Sequence, residues 1–100
     1  MAKAVYRFRV PDEVTQLIRG LHPELKQKLR GALALLGRDA RAGKALQAEL
    51  EGLRSLRAGR LRIVYRIRTG RAIEVIMVGP RDRIYEETLR LLTKPSRPRR

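Results

Sequence analysis

Between Gly59 and Gly70 the chain alternates so strictly that an extended backbone is the conformation it demands. Leu61, Ile63, Tyr65 and Ile67 fall on one side, and Arg60, Arg62, Arg66 and Arg68 on the other, with Val64 among them. Successive side chains of a strand point to opposite faces, so this is a strand with an apolar side and an arginine side. Arginines gathered on one face repel each other, and a strand that only filled a core would not need them. Such a face is either plain solvated surface or a platform for phosphates, whose oxygens a guanidinium group can hold two at a time.

The charge of the whole chain decides what that face can meet. The formal net charge is +14, and half of the excess lies in residues 53–85. That concentration points to a polyanionic partner, either nucleic acid or an acidic protein. A membrane surface fits less well, because the arginines follow a strand period and not the face of a helix. No apolar run approaches the roughly 18 residues of a membrane span, and no signal-peptide pattern opens the chain, so a cytoplasmic location is expected. There is no cysteine, which excludes disulfides and thiolate zinc sites, and the single histidine, His22, cannot build a metal cluster by itself. Neither a metal nor a cofactor is expected. His22 stands before a proline, far from the arginines in sequence, and reads as a loop residue.

One hundred residues suit one domain with one modest core. Residues 4–10 alternate Ala4, Tyr6, Phe8 and Val10 against Val5, Arg7 and Arg9, a first strand that Pro11 ends. Asp12 suits the N-cap of a short helix through Gly20, with Val14, Leu17 and Ile18 inward. Pro23 favours the first position of a second helix, whose stripe Leu25, Leu29, Leu33 and Leu36 runs to Gly37. Gly31 either weakens that helix by about 1 kcal/mol relative to alanine or marks a close crossing with the first. Residues 45–50 read as a helical turn or a loop anchored by Leu46 and Leu50. Residues 53–58 form a second strand, Gly59 turns into the arginine strand, and Thr69-Gly70-Arg71 turns out of it. Ala72 to Val78 is apolar on both faces apart from Glu74, which places it centrally. Ile84, Tyr85, Thr88, Leu89, Leu91 and Leu92 predict a last helix. Residues 93–100 have no apolar anchor and read as a basic tail to a domain of residues 1–92. The expected fold is α+β, in the order β-α-α-β-β-β-α, with an antiparallel-rich sheet and the helices on one face.

In this order, Leu56-Arg-Ala-Gly-Arg-Leu-Arg-Ile-Val-Tyr65 and Val78-Gly-Pro-Arg-Asp-Arg-Ile-Tyr85 resemble the two motifs of the RelE/ParE superfamily of toxins from type II toxin–antitoxin systems. The resemblance covers nearly the whole chain. Leu61 stands where the family usually has an aromatic residue, and the spelling Pro80-Arg81-x-Arg83-x-Tyr85 is similar to archaeal RelE-type members. RelE-like members cleave messenger RNA in the decoding site of the small ribosomal subunit without metal. The resemblance therefore implies a metal-independent endoribonuclease, with Arg62, Arg81 and Tyr85 as the catalytic set. It implies messenger RNA, the ribosome and a cognate antitoxin as partners. Arg57 matches a further basic position of the family. Arg54, Arg60, Arg66 and Arg83 are candidates for added RNA contacts, each with a solvated surface arginine as its ordinary alternative.

Metal-free RNA cleavage aligns the 2′-hydroxyl with the phosphate, stabilises charge on the phosphorane and moves protons. Arginine serves the second need well and the third poorly, because it does not deprotonate. Tyr85 can stack on a base, orient a hydroxyl or fill the core of the last helix. Tyr65 shares the apolar face and reads as core. Bacterial RelE enzymes carry lysines near the places of Leu53 and Ser55, and other branches carry histidine or glutamate at the place of Pro80. A conventional general base is thus missing, and Glu49 and Glu51 are the nearby carboxylates. That gap keeps a second function open, a ParE-type toxin that binds DNA gyrase and lacks nuclease activity; a simple RNA-binding domain is a third.

Overall fold

Two tight turns set the sheet. Gly59, at φ +66°, takes the first place of the two-residue turn that pairs Ala58 with Leu61, where a left-handed backbone suits glycine. Thr69, Gly70 and Arg71 form the next turn, with Gly70 at φ +76° and Arg71 at φ +57°. The computed structural model describes residues 6–80 and 84–93, the side chains of 85–87, 91 and 93 excepted. Its elements are β1 (Arg7–Arg9), α1 (Asp12–Arg19), α2 (Pro23–Arg38), β2 (Lys44–Ala45), a 3₁₀ turn at Ala48–Leu50, β3 (Arg54–Ala58), β4 (Leu61–Arg68), β5 (Ala72–Pro80) and α3 (Ile84–Thr93). The sheet order is β1-β5-β4-β3-β2. Among the described strands, β1 runs parallel to its neighbour, β5, and the other pairs are antiparallel. The α+β class and the central place of the last strand are as expected. Of the predicted first strand, Ala4 and Val5 lie outside the described residues, as do 94–100 of the predicted tail.

The larger core lies between one sheet face and the first two helices. Leu61, Ile63, Tyr65, Ile73, Val75 and Val78 pack there against Val14, Leu29, Ala32 and Leu36. α2 starts as its sequence predicts, with Pro23 at its first turn and the His22 imidazole Nδ1 accepting the Glu24 amide at 3.2 Å. His22 is therefore a helix cap. α1 differs from expectation at two points. Pro11 takes the N-cap place and Asp12 is already helical, and Leu17 is 40% exposed because an eight-residue helix turns only Val14 fully onto the sheet. Gly31 has open space around it, so it marks no close crossing.

The helices do not all lie on one face. Ile84, at the start of α3, packs with Val64, Ile76 and Leu53 in a second, smaller core on the opposite side of the sheet, which Leu46, Leu50 and Met77 extend. The cause is in the strands. Val64 sits apolar among the arginines of β4, and β5 carries an extra residue there: Val64 pairs with Met77 but Tyr65 with Val75. Ile76 is left between them as a β-bulge, which adds apolar surface on the arginine side. Complete burial of a side chain such as Ile84 contributes roughly 1.5–3 kcal/mol. Thr88, one turn on, is also buried, its hydroxyl donating to the Ile84 carbonyl at 2.7 Å.

Tyr65 is core, as read, and it also fastens the loop after α2. Its hydroxyl donates to the Ala40 carbonyl at 2.7 Å and accepts the Gly43 amide at 3.0 Å, all out of solvent. A Cβ on Gly43 would meet that hydroxyl at 2.5 Å and the Ser55 carbonyl at 2.8 Å, so only glycine fits. Tyr65→Phe leaves two buried backbone groups without their partner and is expected to destabilise the domain by about 1–3 kcal/mol. Urea unfolding measures this; a loss below ~0.5 kcal/mol would show that the loop is held by other contacts.

Candidate nucleic-acid interface

The register of the sheet sorts the arginines. On the face away from α1 and α2, Leu53 lies just before β3, β3 presents Ser55 and Arg57, β4 presents Arg62, Val64, Arg66 and Arg68, and β5 presents Ala72, Glu74, Ile76, Met77 and Gly79. Arg57 and Arg62 are direct cross-strand partners, which puts their Cα atoms about 5 Å apart. Like charges so placed oppose the fold. Arg62 Nη1 donates to the buried Ser55 hydroxyl at 3.1 Å, an anchor that fixes where its guanidinium points. On the other side, Arg62 faces Gly79, so no side chain of β5 competes for the space beside it. The chain leaves β5 at Pro80, opposite Leu61, and is next described at Ile84, which is buried. Arg81, Arg83 and the side chain of Tyr85 lie outside the described residues.

The other predicted contacts separate. Arg66 Nε donates to Glu74 Oε1 at 3.0 Å, and Arg68 Nη1 shares the same oxygen at 3.5 Å. Both guanidiniums are partly exposed. Arg54 is Cα partner to Tyr65 and so belongs to the opposite face. Its Nη2 donates to the Gly43 carbonyl at 2.7 Å and the Arg41 carbonyl at 3.1 Å. The group is thus occupied in holding the same loop as Tyr65. Arg60 occupies the exposed second place of the β3–β4 turn and borders a cavity with Gly59, His22, Glu24, Leu25 and Lys28. The stem of Lys28 lies over Gly59, where a Cβ would meet its Cδ at 2.9 Å.

Among the sheet residues on the arginine face, Glu74 is the one carboxylate, and it sits at the Arg66–Arg68 end. Glu49 and Glu51 are exposed, in and just after the 3₁₀ turn. Among the described residues no group of three or more His, Cys, Asp or Glu side chains is placed to hold a metal ion, and no helix is long and apolar enough to cross a membrane. Chemically, the Arg57–Arg62 end can bind and neutralise a phosphate. Ser55, which the family resemblance marks only as standing near the place of a lysine, is the buried acceptor that anchors Arg62. Its signal was parity with Arg57, which puts it on the arginine face.

A family model, the ParE toxin of the type II toxin–antitoxin system parDE, matches residues 12–85. The chain belongs to this family, within the RelE/ParE superfamily of type II toxins. A comparison with curated protein sequences gives no significant match. Among solved structures, the chain is similar to a chain of the RelBE2 toxin–antitoxin complex from Mycobacterium tuberculosis, with 29% identity and a TM-score of 0.66 over 77% of this chain and 99% of that one. A mutant Escherichia coli RelE toxin in the free state gives a TM-score of 0.69 at 19% identity, over 88% of this chain and 98% of that one. A chain of the archaeal RelE–RelB complex from Pyrococcus horikoshii gives 0.65 at 17% identity, over 79% and 98%. The last two share the fold.

The face assignment separates stability from binding. Arg54→Ala removes two hydrogen bonds from a charged donor to backbone carbonyls and is expected to destabilise the fold by about 1.5–3 kcal/mol. Arg57→Ala, which relieves repulsion at an exposed site, is expected to leave stability unchanged or raise it by up to ~1 kcal/mol. Paired urea titrations test this, and equal losses in both variants would contradict the sorting of the faces.

Proposed function

We propose that this toxin is a ribosome-dependent endoribonuclease that cuts messenger RNA at the decoding site of the small subunit. The observation that carries the reading is the Arg57–Arg62 pair beside Gly79, on an open sheet face with Arg62 anchored by Ser55. The similarity to RelE toxins supports it. In this reading Arg62 and Arg81 hold the scissile phosphate and stabilise the charge that develops on it, and Tyr85 stacks on a base or orients a hydroxyl. The 2′-hydroxyl attacks the adjacent phosphorus and the 5′-oxygen leaves. The products are a 2′,3′-cyclic phosphate and a 5′-hydroxyl, and no metal ion is required. Arginine is a poor proton carrier, and the described face offers no carboxylate at the Arg57–Arg62 end. A reaction completed only inside the ribosome accommodates this, since the assembled complex then supplies groups that the described face does not offer.

A second reading, a toxin that binds DNA gyrase without cutting RNA, is favoured by the family model itself, which is that of ParE toxins. Induction in cells with separate pulse labelling of protein and DNA divides the two. Early arrest of protein synthesis with cleaved messenger is expected; early arrest of DNA synthesis with a damage response would replace the first reading with the second. Arg62→Ala is expected to slow cleavage at least tenfold to a hundredfold, because a charge-assisted phosphate contact is worth about 1.5–3 kcal/mol in binding and more in a transition state. Full toxicity of a folded Arg62→Ala/Arg81→Ala variant would remove these residues from the site.

By the same reading the toxin is held inactive by a cognate antitoxin, as the toxin–antitoxin complexes among its structural relatives suggest. A chain of charge +14 calls for an acidic or amphipathic segment. That segment either covers the arginine face or docks along α3, where Leu92 is 43% exposed. Charge steers association while apolar docking slows release. Dissociation is therefore expected to stay slow at about 1 M salt, where the Debye length is only 3 Å. Release accelerated by orders of magnitude would show that charge alone holds the pair.

A further inference from the structure

The arginine face has a second charged end, which the proposed cleavage site does not use. Across the three strands β1, β5 and β4, the register lines up Arg7, Ala72 and Arg68 in one row and Arg9, Glu74 and Arg66 in the next. Neighbouring strands lie ~4.8 Å apart, so the two arginines of a row stand about 10 Å apart at their Cα atoms. In the second row the middle residue is a carboxylate, which takes Arg66 at 3.0 Å and reaches forward to Arg68 at 3.5 Å. In the first row the middle residue is alanine. Arg7 and Arg68 thus face each other over a small side chain, with Arg68 held from behind by Glu74 and still 53% exposed. A cavity of about 430 Å³ opens at this point, lined by Arg7, Phe8, Arg9, Arg68, Thr69 and Ala72.

We propose that this end of the sheet is a second phosphate-binding site, which takes a backbone phosphodiester of folded RNA between Arg7 and Arg68, over Ala72. Four arginines surround one carboxylate here, so the cluster keeps a positive excess after its internal ion pairs are made. Two planar donors approaching from opposite sides suit the oxygens of a phosphate. Three arginines and Thr69 line the cavity beside Phe8 and Ala72, and the opposed guanidiniums over Ala72, rather than a continuous apolar groove of the kind a docked protein segment fills, define what it can hold. Arg68 is six residues from Arg62 along β4, roughly 20 Å at strand rise. A phosphate bound here is therefore not the one bound at Arg62, and the site serves to position a larger RNA. The inference rests on a nucleic-acid partner and does not depend on cleavage.

The test is fluorescence anisotropy of a labelled RNA hairpin with the full-length toxin across a salt series. Three double variants are compared: Arg7→Gln/Arg68→Gln, Arg57→Gln/Arg62→Gln, and Arg19→Gln/Arg30→Gln as a control of equal charge on exposed helix positions. The first is expected to weaken binding about tenfold or more at low salt and to reduce the slope of log K against log salt by about one to two. The control is expected to change affinity by about twofold at most. All these positions are at least partly exposed, and matching thermal unfolding confirms that each variant is folded. If Arg7→Gln/Arg68→Gln behaves as the control while Arg57→Gln/Arg62→Gln weakens binding, the second site is overturned and the proposed function stands. If neither variant differs from the control, both fail. A loss of affinity for a polyglutamate peptide without a loss for RNA would assign the site to an acidic protein and overturn the proposal as well.

Discussion

One extra residue in β5 governs the arrangement of everything around it. Without the bulge at Ile76, strict alternation from Ile73 and Val75 would carry Met77 and Gly79 onto the face of α1 and α2, and Val78 away from it. With the bulge, Val78 joins Ile73 and Val75 in the larger core, and Ile76 and Met77 join Val64 in the smaller one. A central strand can then bury side chains on both faces while its neighbour β4 keeps an amphipathic pattern. The same shift brings Gly79 onto the arginine face beside Arg62. Bulges re-aim side chains next to functional sites at the cost of one ladder pairing, and here the shift both gives α3 a place to pack and clears space next to Arg62.

The two hairpin turns explain which parts of this were legible in the sequence. Periodicity marks β4, α1 and α2, because each buries a stripe of its own, and β5 shows as a continuous apolar run that ends at Gly79-Pro80. Which arginines share a face was harder to read. A two-residue turn makes the even-numbered residues of β3 share a face with the odd-numbered residues of β4, so Arg54 lies with Tyr65 and Arg57 with Arg62. Reading Arg54 as part of the RNA platform ignored that change of parity; in the structure its guanidinium holds backbone carbonyls of the loop after α2. β2 leaves no mark in the sequence because its two residues, Lys44 and Ala45, pair with β3 through the backbone and bury no side chain. The bulge was hidden because Val75, Ile76, Met77 and Val78 are all apolar, and a continuous apolar run hides a change of phase.

The loop between α2 and β3 shows how closely fold and site are joined. Tyr65 and Arg54 project from paired positions on β4 and β3, and both bind its backbone, at Ala40, Arg41 and Gly43. The carbonyl of Ser55, which would meet a Cβ on Gly43, belongs to the residue whose hydroxyl accepts from Arg62. A side chain at residue 43 would therefore press on the strand that orients Arg62. Stability of the loop and the position of the guanidinium are consequently hard to change independently, and a stability measurement is needed beside any loss of activity in this region.

The composition of β5 along the arginine face also shows how so many like charges are tolerated on one sheet. The order is Ala72, Glu74, Ile76 with Met77, then Gly79, and the matching residues of β4 are Arg68, Arg66, Val64 and Arg62. The apolar middle is covered by Ile84 and divides the arginines into two groups, separating Arg62 from Arg66, four residues on and about 13 Å away at strand rise, beyond the ~8 Å Debye length of physiological salt. Within one group Glu74 offsets the repulsion of Arg66 and Arg68, and within the other the Ser55 hydroxyl anchors Arg62. Small residues, Ala72 and Gly79, stand opposite an arginine in each group. The apolar residues that the smaller core needs, Val64 on β4 and Ile76 with Met77 on β5, therefore also hold the two cationic groups apart, which limits the repulsion between them.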